Sequence, residues 1–219
     1  YKTLEAAATI DVNSAKAAGL VTINNVSAAT IDYAKTADSS ADGISTNETT
    51  SLNIIAAKDV STGAITSNNK LKTLTITGQD KVETGAVTSS ALETVTVSGV
   101  KDVKVNDTAA AFADASKLKT VNVTSTTGDA KVGNIGSAGK NNTTDALNIT
   151  VSAAKAAELG TVGAGGAGKL GDISVTATDG LLTAGAITGT DAGTITLTST
   201  AGAIAMTDGA AAAEIVATD

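Results

Sequence analysis

An apolar–polar–apolar triplet returns ten times along the chain: Ile10-Asp11-Val12, Ile31-Asp32-Tyr33, Leu52-Asn53-Ile54, Leu74-Thr75-Ile76, Val95-Thr96-Val97, Val121-Asn122-Val123, Leu147-Asn148-Ile149, Ile173-Ser174-Val175, Ile195-Thr196-Leu197 and Ile215-Val216-Ala217. Their first members lie 21, 21, 22, 21, 26, 26, 26, 22 and 20 residues apart. Alternation with period two predicts a short strand whose first and third residues point inward and whose middle residue points outward. A repeat of this length marks a stack of units, each too small to bury a core except against its neighbours.

Further apolar landmarks keep the same beat. Ile23, Ile44, Ile65 and Val87 fall thirteen residues after the triplet's first member, and Val60, Val82 and Val103 fall eight after it. Leu71, Leu92 and Leu118 precede the triplet by three. Two adjacent units nearly match, Val60-Ser61-Thr62-Gly63-Ala64-Ile65 against Val82-Glu83-Thr84-Gly85-Ala86-Val87.

Several short strands per unit, separated by Gly, Asn, Asp and Ser, predict a chain winding round an axis with roughly three sides. The expected fold is all-β: a single parallel β-solenoid (β-helix) over residues 1–219, of about ten coils of 20–26 residues each. At about 4.8 Å per rung it would be a rod roughly 45–50 Å long. The longer coils, at 95–172, carry extra residues in 105–116, 133–144 and 160–168. The segment 108–115, with the single Phe112, is expected as a short helix or an apolar plug. The alternative is a leucine-rich horseshoe, since Leu71-Lys72-Thr73-Leu74-Thr75-Ile76 fits its opening. That consensus next wants an inward Asn or Cys, where this chain has Gln79, Val100 and Thr126, which favours the closed solenoid.

Composition narrows the chemistry. Hydrophobic residues make up 42% but aromatics only 1%, so the core must be Ile, Val, Leu and Ala. There is no His, Cys, Pro or Trp, and all 15 basic residues are Lys. Catalytic triads, His-based metal sites and bidentate anion clamps are excluded, and paired-carboxylate glycan cleavage lacks aromatic or Arg platforms. The expectation is a protein that is not an enzyme. A net charge of −7 disfavours nucleic acid, which needs a basic stripe. No apolar run is long enough to span a membrane as a helix. The chain opens at Tyr1 without a charged and apolar leader, as expected of a fragment or a mature product.

Calcium is the cofactor this composition permits, because Asp, Asn and carbonyl oxygens are its ligands. Asp179 and Asp208 are the first candidates, each standing before a Gly, followed by Asp191, Asp80, Asp102 and Asp107. The plain alternative is that Asp and Gly simply make the turns. The Gly-Gly-x-Gly-x-Asp array of a calcium-loaded roll is missing.

Outward positions form a polar column through Asn53, Thr75, Thr96, Asn122, Asn148, Ser174 and Thr196, with Thr77, Ser98, Thr124, Thr150, Thr176 and Thr198 two residues on. Such ladders suit an ice-binding face. Strand propensity alone also accounts for Thr. Mixed Asn and Ser and the change in coil length are expected to interrupt the regularity that ice demands.

Runs such as Leu71-Lys72-Thr73-Leu74-Thr75-Ile76-Thr77-Gly78 and Leu92-Glu93-Thr94-Val95-Thr96-Val97-Ser98-Gly99, in an Ala/Thr/Gly/Ser-rich chain without Cys, resemble Gram-negative surface-layer (S-layer) proteins of the type I-secreted, calcium-associated kind. Secreted adhesins share the style. The resemblance implies an extracellular protein of the bacterial cell surface that self-associates into a lattice. It also implies a coat held on lipopolysaccharide through regions outside this segment. No ligand residue of that family carries over. A stalk or passenger segment of an adhesin is the alternative function.

Overall fold

The computed structural model describes residues 8–12, 21–23, 28–33, 39–113, 115–136, 146–163, 169–189, 193–206 and 215–218. Among these, every regular element is a β-strand and every pairing between strands is parallel. This is a β-solenoid. The horseshoe is set aside, since its outer helices are absent among the described residues.

The first side is a ten-stranded parallel sheet running in chain order from Ala8–Val12 to Ile215–Thr218, one strand for each triplet. Inward residues of the central strands are sealed from solvent: Leu74, Ile76, Val95, Val121 and Val123 are all 0% exposed. The intervening residues are half-exposed, as in Thr73–Gly78 and Thr94–Gly99. Six consecutive coils, beginning at Leu52, Leu74, Val95, Val121, Leu147 and Ile173, have strands described on every side.

Pairing corrects the alignment of triplets at three places. Ile31 pairs with Ile54 rather than Leu52, and Val121 and Ile173 both pair with Ile149 rather than Leu147. Each slip is two residues, so inward residues stay inward. An odd slip would have turned Leu52, Ile54, Leu147 and Ile149 toward water.

The second side stacks Val60, Val82, Val103, Ala130, Ala157, Leu182 and Ile204 in register. The third stacks Val21, Ile44, Ile65, Val87, Phe112 and Ile135, then Val162 and Ile187. Val21, not the expected Ile23, pairs with Ile44. These two sides belong to one 14-stranded sheet, because the strands Val103–Ala113 and Ala130–Ile135 bend round the corner between them.

The bend absorbs the extra residues of the longer coil. Asn106 takes a left-handed φ of 40°, which Asn tolerates better than most residues, and pairing shifts between Val105 and Ala110. The segment expected as helix or plug is therefore strand as far as Ala113. Phe112, 1% exposed between Val87 and Ile135, is the plug.

The near-identical Val60 to Ile65 and Val82 to Val87 runs form the same corner on adjacent coils. Thr62 and Thr84 turn inward, and Thr62 Oγ1 donates to Thr84 Oγ1 at 2.9 Å in a buried site. Gly63 adopts φ +61°, and a Cβ there would lie 2.6 Å from the carbonyl oxygen of Asp42. The motif is a packing device: a bonded hydroxyl rung beside a close backbone approach.

Candidate functional site

Three surfaces of the solenoid carry chemistry: the corner after the first sheet, the charged columns, and the outward face of the first sheet itself.

At the corner, parallel pairing lapses and backbone N–H groups need other acceptors. Asx side chains supply them across coils. Asp59 Oδ1 accepts from Lys81 N at 2.9 Å, Asp102 Oδ1 from Asp129 N at 3.0 Å, and Asp129 Oδ1 from Ala156 N at 3.1 Å. Asn69 at another corner, and Asn134, Asn148 and Asp172 within strands, accept in the same way from Ser90, Thr161, Asp172 and Thr194. Each bond reaches the equivalent residue one coil further on. An ordered carboxylate or amide oxygen here staples coil to coil.

That changes what the candidate calcium ligands are. Asp102 is such a staple. Asp80 is held by Lys101, with Nζ 2.8 Å from Oδ1, and this contact lowers the Asp80 pKa below the ordinary carboxylate value. Asp107 falls inside the strand Val103–Ala113 rather than in a turn. Asp179 is exposed on a bend, its N–H donating to Ala154 O at 3.0 Å. The carbonyl of Gly180 beside it already accepts from Ser199 Oγ at 3.1 Å. Gly180 is small because a Cβ would come 2.7 Å from Ala156 N on the previous coil. Asp191 and Asp208 lie outside the described residues. Among the described residues no three Asp, Glu, His or Cys side chains converge as a metal cluster.

Charges elsewhere run in columns along the axis. Glu93 lies between Lys72 (3.8 Å) and Lys119 (3.6 Å) at the approach to the first sheet. On the second side, Glu83, Lys104, Lys131 and Glu158 occupy successive outward positions. Lys131 reaches Glu158 at 3.3 Å, and Lys81 reaches Glu83 at 2.9 Å, which raises the Lys81 pKa. Exposed pairs of this kind contribute little each and weaken with salt.

The first sheet's outward face is different. Three columns stand side by side: Ser51, Thr73, Thr94, Thr120 and Asn148; Asn53, Thr75, Thr96, Asn122, Thr150, Ser174 and Thr196; and Ile55, Thr77, Ser98, Thr124, Ser152, Thr176 and Thr198. None of these carries a charge, but the exposed Asp172 continues the first column one rung beyond Asn148, and Asp11 and Asp32 stand in register with the third column on the first two rungs. Of these side chains, Ser98 Oγ donates weakly to Ile76 O at 3.5 Å, and Asn148 works as a staple. The other hydroxyls form no hydrogen bond among the described residues. Sequence spacing placed Asn148 beside Asn122, whereas the two-residue slip places Thr150 there.

The sequence reading missed the staples. Their signal was present, since Asp59, Asp102 and Asp129 each stand one residue before a member of the same inward column, Val60, Val103 and Ala130. No helix among the described residues is long and apolar enough to cross a membrane. Comparison of the chain with protein-family models, curated proteins and solved structures returns no match.

Proposed function

We propose that the protein is a structural segment of a bacterial surface layer, non-enzymatic and extracellular, that assembles through lateral contacts between solenoids. The observation that carries this reading is the ten-stranded sheet and its partner running the length of the chain. They give a stiff shaft whose side faces repeat along the axis. Repeating faces let identical copies pack side by side in a regular lattice, because a contact made at one rung is offered again at the next.

Calcium enters as an aid to association. At a net charge of −7 the shafts repel, and a cation shared between exposed carboxylates such as Asp179 removes repulsion and adds a bridge. Sites built from so few carboxylates bind at about 10⁻⁴ to 10⁻³ M, as in extracellular modules.

Electron microscopy of the purified chain, with calcium, with magnesium and with neither at equal ionic strength, tests the reading. Ordered two-dimensional sheets favoured by calcium are expected. Dispersed single rods in all three would point instead to an adhesin stalk, whose length does its work without a lattice. Identical association in calcium and magnesium would remove calcium's specific part.

A further inference from the structure

Two of the three outward columns of the ten-stranded sheet are uncharged over seven consecutive rungs, and the third carries Asp172 alone over the same rungs, in a chain of net charge −7; the hydroxyls of this face are largely unspent. From this we infer that the face binds ice, holding the ordered water of a crystal surface on its three hydroxyl columns. The inference goes beyond the structural role proposed above and does not depend on it.

Geometry makes the case. Parallel pairing fixes rungs at about 4.8 Å and outward residues on one strand at about 6.6 Å, twice the rise per residue. Those two repeats, at right angles, approximate the lattice repeats on faces of hexagonal ice. Asn and Ser do share these columns with Thr, but the change in coil length does not break the face. The extra residues of the longer coil lie at the bend beyond Val105, and the strands Thr94–Gly99 and Thr120–Ser125 remain paired residue for residue. The two-residue slips keep outward positions outward, and the bulge between Leu147 and Ile149 lies at the start of its strand, ahead of the in-register pairs from Ile149 to Ala153.

Rigidity matters as much as spacing. Thr is stiff at χ1, so its hydroxyl and methyl stay ordered at little entropic cost. Each strand is also backed by inward residues sealed from solvent, such as Ile76, Val97 and Val123. Hydroxyls that both donate and accept join a water lattice in either sense. An ice surface has no net charge, so the two uncharged columns meet it without stripping water from ions.

The test compares wild-type chain, a Thr96→Lys/Thr124→Lys double variant, and Thr183→Lys, which makes the same change on the second side. Circular dichroism and melting confirm that all three are folded. Wild type and Thr183→Lys are expected to shape ice crystals, open a gap between freezing and melting, and inhibit recrystallisation, with the double variant at buffer level. Wild type at buffer level, or full activity in the double variant, overturns the inference. It also falls if wild type sediments as a dimer that the double variant converts to monomer, since a second copy would then cover this face.

Discussion

Replacing Ile76 by Ala tests whether the stack is held by its inward columns. Ile76 is 0% exposed, and its rung neighbours Ile54 and Val97 are 0% and 1% exposed. The change deletes three carbons, about 2.4 kcal/mol of transfer free energy at about 0.8 kcal/mol each. A cavity term adds to this, because the backbones on both sides are pinned by six-residue ladders and cannot collapse into the space. The expected loss is about 3–5 kcal/mol. Its neighbour Thr75, half-exposed on the outer face, should lose no more than about 0.5 kcal/mol on the same truncation.

Urea unfolding followed by circular dichroism reads both variants. Midpoint and slope must be taken together, since long repeat arrays can lose cooperativity and let the ends unfold separately. Ile76→Ala should lower the midpoint sharply, and Ile76→Asp, which buries an unpaired carboxylate between two rungs, should prevent stacking there. Equal effects of Ile76→Ala and Thr75→Ala would refute the inward assignment. A helix-dominated spectrum for the wild type would refute the solenoid itself.

Two further predictions concern the corner. Asp102→Ala should cost about 1 kcal/mol by orphaning the Asp129 N–H, while Asp102→Asn, which keeps the accepting oxygen, should melt close to wild type. For Asp80, the bond from Lys101 lowers the folded-state pKa, so its contribution to stability is present above the ordinary carboxylate pKa. That contribution fades as pH falls through the folded value, and NMR titration should find the Asp80 pKa returning to its ordinary value in Lys101→Ala.

Much of this architecture is legible in the chain because a solenoid writes its cross-section into every coil. Period-two alternation identified the inward residues of the first sheet, and the recurring Val60, Val82 and Val103 column paired as its spacing implied. Register was less legible. Ile31 has an apolar residue available at both Leu52 and Ile54, and a hydrophobic pattern of period two does not distinguish alignments two residues apart. The corners decide that choice through loop length and local bonds, and neither has a periodic signature.

The corner carboxylates show why composition alone does not assign their chemistry. Asp before a turn reads equally well as a metal ligand or a turn former, because both roles use the same oxygen. The deciding fact is what lies one coil away, 22 residues on for Asp59 and 27 on for Asp102 and Asp129. There a backbone N–H has lost its ladder partner. Satisfying it takes one oxygen of each carboxylate and points that oxygen along the axis, so an ion approaching from solvent finds that oxygen already shared with the backbone. In a stacked repeat the first demand on a polar corner residue comes from its neighbour coil. Outward hydroxyls of the first sheet, where the backbone is paired residue for residue, are the groups largely left free for a ligand.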